Sequence, residues 1–477
     1  MNTIKKMVKN TGVMLLANAL SPVFSFLIVI FVARFLGVSG LGKFSLVLSI
    51  FIIFQTISNL GFAHLITREV SKDKSKASKY LINSFLISLI FTTFTVGVMC
   101  LVGYLLNYSD DTTCSIYIIS FALIPASLSS ICQSICRAFE KYEYVSFSLI
   151  GGNLVKAVFG LLVLFNDYGL VELIVVILVS HLVSFLLSLY TAFKCIGTTS
   201  YKVDLRVLKW IVKTAPTFAL IFIFSTIYWN IDIIMLSKMK GSTEVGFYSA
   251  ATKLMSAWMI VPITYVTTLQ PLLSVFFMSS YEKFRITCEK SIKYLMVVTI
   301  PIAMGTTILA KDLLCLFYKD EFLASTDVLC VLIWTLVPFS AVLVFAHTLI
   351  ASNNQKIDLR VNVISMVCNV GLNLLLIPKL SYLGAGIATL ISVCIFLSLQ
   401  YNFIAKHLFT INFIEVAGKS IISATLMGIG MLVLRQAYLP ILIFVAVLVY
   451  SILLLSLKTF SQSDIQLVLR LWEKEKI

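Results

Sequence analysis

Long apolar runs recur at short intervals along the whole chain. A membrane-spanning helix needs about 20 mostly apolar residues, and fourteen segments meet this requirement. In order, they are Gly12–Ala33, Phe44–Leu65, Tyr80–Leu106, Ser115–Ile135, Val145–Phe165, Leu170–Phe193, Thr214–Leu236, Gly246–Phe277, Ile292–Leu309, Val328–Ile350, Ile357–Ile377, Gly384–Ile404, Val416–Leu434 and Leu439–Leu457. The pattern predicts an all-α integral membrane protein with fourteen transmembrane helices.

The spans also repeat. Gly42-Lys43-Phe44-Ser45 opens the second span and Gly246-Phe247-Tyr248-Ser249 opens the eighth, at an offset of 204 residues. Pro125 in the fourth span and Pro338 in the tenth match at an offset of 213. Six is an even number of spans, so two six-helix lobes would enter the membrane from the same side, as parallel repeats do.

The repeat sets the expected organisation. We expect an N-terminal six-helix lobe over residues 1–195, a C-terminal six-helix lobe over 210–405, helices 13 and 14 over 414–458, and a cytoplasmic tail over 459–477. The apolar residues among the charges of Ser461–Ile477 are compatible with a short interfacial helix or with a solvated tail.

Composition supports a membrane location. The 477-residue chain is 59% hydrophobic and 12% charged, whereas about 25% of the residues in an average soluble domain are charged. With the N-terminus placed in the cytoplasm, 27 of the 37 Lys and Arg lie on the inner side and 8 on the outer side. The positive-inside rule therefore predicts that both termini are cytoplasmic. The net charge of +15 is mostly a topology signal, which argues against a nucleic-acid partner.

Several kinds of chemistry find no support in the sequence. The ten Cys contain no CxxC pair and the four His no HxxxH pattern, so we expect no disulfide framework, metal or cofactor. The stretch from Gly37 to Lys43 has phosphate-loop spacing, but Phe44 replaces the required Ser or Thr. The connectors between spans are too short to fold independently. We therefore expect a transporter rather than an enzyme.

One set of polar residues lies deep within predicted spans five and six. A charge at the centre of the bilayer costs roughly 2.5–3.5 kcal/mol or more unless it is hydrated or paired. Lys156 lies near the middle of span five, Asn153 one turn earlier on the same face, and His181 at similar depth in span six. These three residues are candidates for a cationic, hydrated substrate-binding cavity. The alternative is a structural hydrogen-bond cluster between helices.

Asp232 and Lys253 form a second set. Both lie about 9–11 Å below the outer boundary on consecutive spans, so an ion pair between them is expected. It could be a static bridge or take part in gating or ion coupling, and Lys253 is also a candidate substrate contact. Arg34, at the outer end of span one, is a further substrate-binding candidate, although it is terminal enough to extend into the interface.

Three stretches resemble the polysaccharide flippases of the multidrug/oligosaccharidyl-lipid/polysaccharide superfamily. They run from Ala33 to Ser45, from Asp232 to Lys253, and from Asn373-Leu-Leu-Leu-Ile-Pro378 to Thr389. The resemblance implies alternating-access transport of an undecaprenyl-diphosphate-linked oligosaccharide, such as an O-antigen (lipopolysaccharide) or capsule repeat unit, to the outer leaflet of the bacterial inner membrane. The bilayer, the polysaccharide polymerase and the chain-length machinery are the implied partners.

Two other functions remain open at this point. A multidrug or cation extruder of the same superfamily would favour a pocket dominated by carboxylates, and a membrane glycan polymerase or ligase would favour long outer loops. Beyond the first four residues of each predicted span, the charged residues are Lys156 and Lys253 against Asp232, and the outer connectors are short. Both features favour the flippase.

Overall fold

The computed structural model describes residues 2–197, 203–214, 216–436 and 438–459, with side chains from residue 24 onward except 216–218. The predicted tail Ser461–Ile477 lies outside these ranges. The described chain is helical, with no strand. Its α-helices are α1 Asn2–Asn59, α2 Phe62–Lys72, α3 Ala77–Leu105, α4 Asp110–Phe121, α5 Leu123–Ala138, α6 Tyr142–Phe165, α7 Leu170–Ile196, α8 Leu205–Thr214, α9 Pro216–Lys240, α10 Ser242–Ser279, α11 Tyr281–Ile308, α12 Ala310–Phe317, α13 Ser325–Leu332, α14 Leu336–Ala351, α15 Gln355–His407, α16 Phe413–Val433 and α17 Leu439–Ser456.

Among the described residues, twelve helical segments are long and apolar enough to cross a membrane. Two of them are double. α1 is interrupted only at Gly37 (φ 69°), and α15 only at Ser381 (φ 51°), so each contains two spans joined by a single non-helical residue. Counting each twice gives the fourteen predicted spans. The all-α multi-pass fold is thus confirmed, although we expected separate turns where the chain makes kinks.

The prolines matched by the repeat account for two further breaks. α4 ends at Phe121, four residues before Pro125. α13 ends at Leu332, and a 3-10 turn over Ile333–Thr335 precedes Pro338. A proline lacks the N–H for the i−4 hydrogen bond and its ring crowds that carbonyl. Each proline therefore bends its span about one turn upstream, so that two helices together make one crossing.

The chain forms two compact units. One contains residues 1–253, 317–324 and 366–385; the other contains 254–316, 325–365 and 386–477. These units are not the predicted lobes, whose boundaries remain a prediction. In the first unit, α6 packs on α7 and α1, α5 packs on α7, α3 and α2, and α9 packs on α1. In the second, α11 packs on α14 and α16, and α16 packs on α17.

The surface of the spans suits a lipid solvent. Large apolar side chains of α3, such as Ile90 (73% exposed) and Phe94 (67%), point away from the protein. Small polar residues such as Ser84, Ser88 and Thr92 of the same helix are buried. Lipid tails are as apolar as Leu, so close packing of small residues, rather than burial of large ones, holds such helices together.

Candidate functional site

Three basic residues that were predicted to bind substrate are brought together in the first unit. Lys156 lies on α6, nine residues or about 14 Å from the C-terminal end of the helix at Phe165. Its ammonium donates a hydrogen bond to Ser25 Oγ of α1 at 3.2 Å. The charge of Lys253 on α10 acts on Lys156, and the charge of Lys156 acts on His181. Three basic side chains from three spans therefore share one electrostatic environment.

Each of these side chains is partly exposed although it lies well inside its helix. Lys156, His181 and Lys253 are all half-buried, as is Asn153 one turn before Lys156. The His181 ring packs at 5.3 Å from the ring of Phe51. Among the described residues, no carboxylate oxygen lies within 4 Å of Lys156 or Lys253. The arrangement can attract an anionic group to the middle of the membrane.

Asp232 has different partners from the one we expected. Its Oδ2 accepts a hydrogen bond from Tyr248 Oη at 2.8 Å and its Oδ1 accepts one from Asn373 Nδ2 at 2.6 Å. The ion pair with Lys253 is not formed, so that expectation was wrong. Tyr248 and Lys253 are five residues apart on α10, which separates them by about 140° around the helix. The face that meets α9 carries Tyr248.

A second asparagine extends this polar cluster. Asn373 Nδ2 also donates to Asn369 Oδ1 at 3.0 Å, one turn earlier on α15. Asp232 and Tyr248 are 3% exposed, and the two asparagines are fully buried. Asn373 Oδ1 has no hydrogen-bond partner. A carboxylate and an unpartnered amide oxygen are thus held together inside the protein, where oxygen ligands suit a hard cation or a proton.

Tyr248, Asn369 and Asn373 were not predicted as site residues. Tyr248 and Asn373 lie within the second and third resembling stretches, and Asn369 lies one turn before Asn373. Asp358 was also missed. It is buried near the start of α15 and accepts a hydrogen bond from Gln400 at 2.8 Å. An asparagine in an apolar run was the available signal, because each buried amide needs a partner.

Arg34 lies three residues before the kink at Gly37, at the end of the first span within α1. Its Nε donates to the carbonyl of Phe317 at 2.9 Å, and Lys319 Nζ donates to the carbonyl of Arg34 at 2.8 Å. Both cations therefore bind backbone groups. The role of Arg34 in substrate binding stays a prediction.

The repeated glycines face one another. A Cβ added to Gly42 would overlap the carbonyl of Ser242, and one added to Gly246 would overlap the carbonyl of Val38. Val38 and Ser242 are themselves 204 residues apart, the offset of the repeat. Ser39 Oγ lies 2.8 Å from Ser242 Oγ at the same place. The backbone just after the kink at Gly37 in α1 and the backbone at the start of α10 thus touch reciprocally. We call this the glycine contact.

The comparisons with known proteins agree with this fold. A sequence model of the family described as "Polysaccharide biosynthesis protein" matches residues 7–277, which is more than half of the chain. The chain belongs to the polysaccharide biosynthesis protein family. A second model, MatE, matches residues 217–375. The superfamily predicted from the three sequence stretches is thereby confirmed.

Relatives of this family member are flippases and glycan-biosynthesis proteins. It is 23% identical over 425 residues to "Capsular polysaccharide biosynthesis protein CapF" of Staphylococcus aureus, covering 84% of this chain and all of that protein. It is 23% identical to "Probable low-salt glycan biosynthesis flippase Agl15" of Haloferax volcanii, over about half of each chain: 51% of this one and 53% of that one. The solved structure "Lipid II flippase MurJ, inward closed conformation" superposes with a TM-score of 0.77 at 16% identity, over 92% of this chain and 97% of that one. At this identity the superposition supports the fold.

Proposed function

We propose that this protein is a flippase that moves an undecaprenyl-diphosphate-linked oligosaccharide, such as a capsule or O-antigen repeat unit, from the inner to the outer leaflet of a bacterial cytoplasmic membrane by alternating access. The observation that carries the proposal is the group of half-buried basic residues inside the spans, in which Lys156 and Lys253 carry the positive charge and His181 lies beside them. A diphosphate is the anionic part of such a cargo, and charge-assisted hydrogen bonds to phosphate are strong. The family match and the CapF relative support a glycan-linked cargo.

A deletion strain tests this function. Without the protein, the completed lipid-linked unit should accumulate in the inner leaflet while surface polysaccharide falls. A plasmid copy should restore both, and a strain that lacks an early glycosyltransferase should lose the polysaccharide without accumulating the unit. Normal polysaccharide in the deletion, with no related flippase present, would contradict the proposal.

A multidrug or cation extruder is the second candidate, because the MatE model matches residues 217–375 and a carboxylate is buried within that range. The same deletion strain separates the two functions. An extruder predicts greater susceptibility to cationic drugs with unchanged polysaccharide. If the protein is a flippase, the deletion should lower surface polysaccharide and leave drug susceptibility unchanged.

We also propose that the cluster of Asp232, Tyr248, Asn369 and Asn373 couples transport to a cation or proton. An isolated carboxylate in the membrane is costly, and this one is held by two hydrogen-bond donors beside an unpartnered amide oxygen. In proteoliposomes, transport by the wild type should respond to an imposed sodium or proton gradient. Asp232→Asn should abolish that response, and an unchanged response would contradict this role.

A further inference from the structure

A basic cavity lies in the second unit, at the ends of α11, α16 and α17. It has a volume of about 400 Å³, and its lining includes Lys290, Lys293, Lys419 and Lys458, with the carboxylates of Glu289 and Glu415. Four lysines against two glutamates leave an excess of two positive charges. Lys293, Lys419 and Lys458 make no ion pair with either carboxylate. The positive charge is therefore available to a ligand.

The cavity also contains an unused hydrogen-bonding group. Thr459 is 3% exposed, and its Oγ1 has no hydrogen-bond partner. The backbone holds it in place: Thr459 N donates to the carbonyl of Leu454 at 3.1 Å, and Lys419 Nζ donates to the carbonyl of Lys458 at 3.0 Å. A buried hydroxyl without a partner is unfavourable. A bound ligand with an acceptor oxygen would satisfy it.

The depth of the cavity matches lipid headgroups. α11 has 28 residues and is about 42 Å long, which exceeds a hydrocarbon core of about 30 Å. α16 and α17, with 21 and 18 residues, are close to that thickness. The charged first turns of α11 therefore extend beyond the core beside the start of α16 and the end of α17. This is the side that the positive-inside rule assigns to the cytoplasm.

We propose that this cavity binds the phosphodiester headgroup of an anionic phospholipid of the inner leaflet. The lysines would bind the phosphate oxygens, Thr459 would donate to one of them, and the glutamates would accept hydrogen bonds from headgroup hydroxyls. Half-exposed Ile286 and buried Val416 line the same cavity and supply an apolar surface for the first carbons of the acyl chains. The site is separate from the residues assigned to transport, and this proposal does not depend on the flippase function.

The test measures binding of phosphatidylglycerol to the full-length protein in neutral detergent by native mass spectrometry, with phosphatidylcholine as the uncharged reference. The wild type should retain phosphatidylglycerol in preference to phosphatidylcholine. The double variant Lys293→Ala/Lys419→Ala should weaken retention by about five-fold for each lysine, the equivalent of about 1 kcal/mol per basic residue. The control Lys356→Ala/Lys406→Ala removes two exposed lysines of the same unit outside the cavity and should have little effect.

Thr459→Val tests the hydroxyl group independently of the lysines. Valine has nearly the shape of threonine but no hydroxyl, so the lipid-free protein should be as stable as the wild type while phosphatidylglycerol binds more weakly. Inorganic phosphate, added as a competitor, shows whether the cavity is specific for a lipid headgroup or binds soluble phosphates. A lipid site should keep its phosphatidylglycerol, whereas a site for soluble phosphates should release it. Equal losses in the cavity and control variants, or no preference for phosphatidylglycerol, would overturn the proposal.

Discussion

The depth of a polar residue within a predicted span identified some site residues but not the contacts that they make. Lys156, His181 and Lys253 stand out because each is a basic side chain inside an apolar run, and the structure places them in one environment. Depth did not identify the hydrogen-bond partners of Asp232. One of them, Asn373, is 141 residues further along the chain. No local periodicity connects residues so far apart, and the tertiary fold alone brings them into contact.

Lys156 is the residue on which we expect transport to depend most. Lys156→Ala should abolish or greatly reduce flipping while the protein still accumulates, because among the described residues Lys156 hydrogen-bonds to the Ser25 hydroxyl and pairs with no carboxylate. Lys156→Arg should keep partial activity, since its planar guanidinium preserves charge but not shape. Accumulation of surface polysaccharide, normalised to protein level, is the measurement. Lys406→Ala, at an exposed helix end, is the control, and normal transport by Lys156→Ala would refute the cavity assignment.

Asp232 should couple energetically to Asn373 and not to Lys253. In double-mutant cycles of the unfolding free energy, Asp232→Ala with Asn373→Ala should show an interaction of about 0.5–3 kcal/mol, the range typical of residues in contact. Asp232→Ala with Lys253→Ala should be close to additive. The charge swap Asp232→Lys with Lys253→Asp should not restore folding or transport. Rescue by the swap would show that the two charges pair in another state of the protein.

At the scale of elements, hydropathy predicted the spans well and their junctions poorly. The segments before and after Gly37 were correctly assigned to different spans. The ten residues between those spans, 34–43, were expected to form a turn. They are helical except at Gly37. A single glycine with positive φ can redirect the helix without a loop. The charged and small residues of that stretch lower the hydropathy without breaking the helix.

The short helix α8 gives a pH-dependent prediction. It is tied to α3 through Asp204, whose carboxylate pairs with Lys79 at 2.5 Å and whose N–H donates to Asn83 Oδ1 at 2.9 Å. The hydrogen bonds from Lys79 and from the Arg206 amide lower the pKa of Asp204 below its ordinary 3.8. A lowered pKa means that the contact contributes stability above the unfolded pKa and loses it as the pH falls through the folded pKa.

Hydrogen exchange of α8 amides, corrected for intrinsic rates, should therefore increase as the pH falls below about 4. Asp204→Asn should exchange faster than the wild type at neutral pH, with little further change on acidification. Asp167→Asn, at an exposed turn away from α8, serves as the control. Identical profiles for wild type and Asp204→Asn would show that the carboxylate does not hold the helix.

At the scale of the whole molecule, orientation is still a prediction and can be tested directly. Single cysteines in a cysteine-free background should react with an impermeant thiol reagent in intact cells at Asp167 and not at Lys74. The reason is the inner excess of Lys and Arg, which places Lys74 in the cytoplasm. Permeabilised cells provide the control, in which both should react. Labelling at Lys74 in intact cells would reverse the topology and move the basic cavity to the outer leaflet.

The glycine contact should open during transport. Ser39→Cys with Ser242→Cys, whose hydroxyl oxygens are 2.8 Å apart in the wild type, should form a disulfide with a mild oxidant and stop transport. Reducing agent should restore it. The cysteine-free background is essential here, because native Cys136 and Cys195 have sulfurs 3.8 Å apart. The two single variants are the controls. Full transport by the cross-linked protein would show that transport does not require the glycine contact to open.

The reciprocal form of the glycine contact has an evolutionary consequence. Gly42 of the first half meets Ser242 of the second, and Gly246 of the second half meets Val38 of the first. Gly42 is equivalent to Gly246 in the repeat, and Val38 to Ser242, so the same pair of positions makes the contact twice. Contacts in which residue i meets j and j meets i are what a two-fold symmetric homodimer makes. A half-length ancestor could have formed this contact between two copies of itself before gene duplication and fusion. Because it is made by backbone, the side chains around it were free to diverge afterwards, one half keeping Lys43 where the other has Phe247.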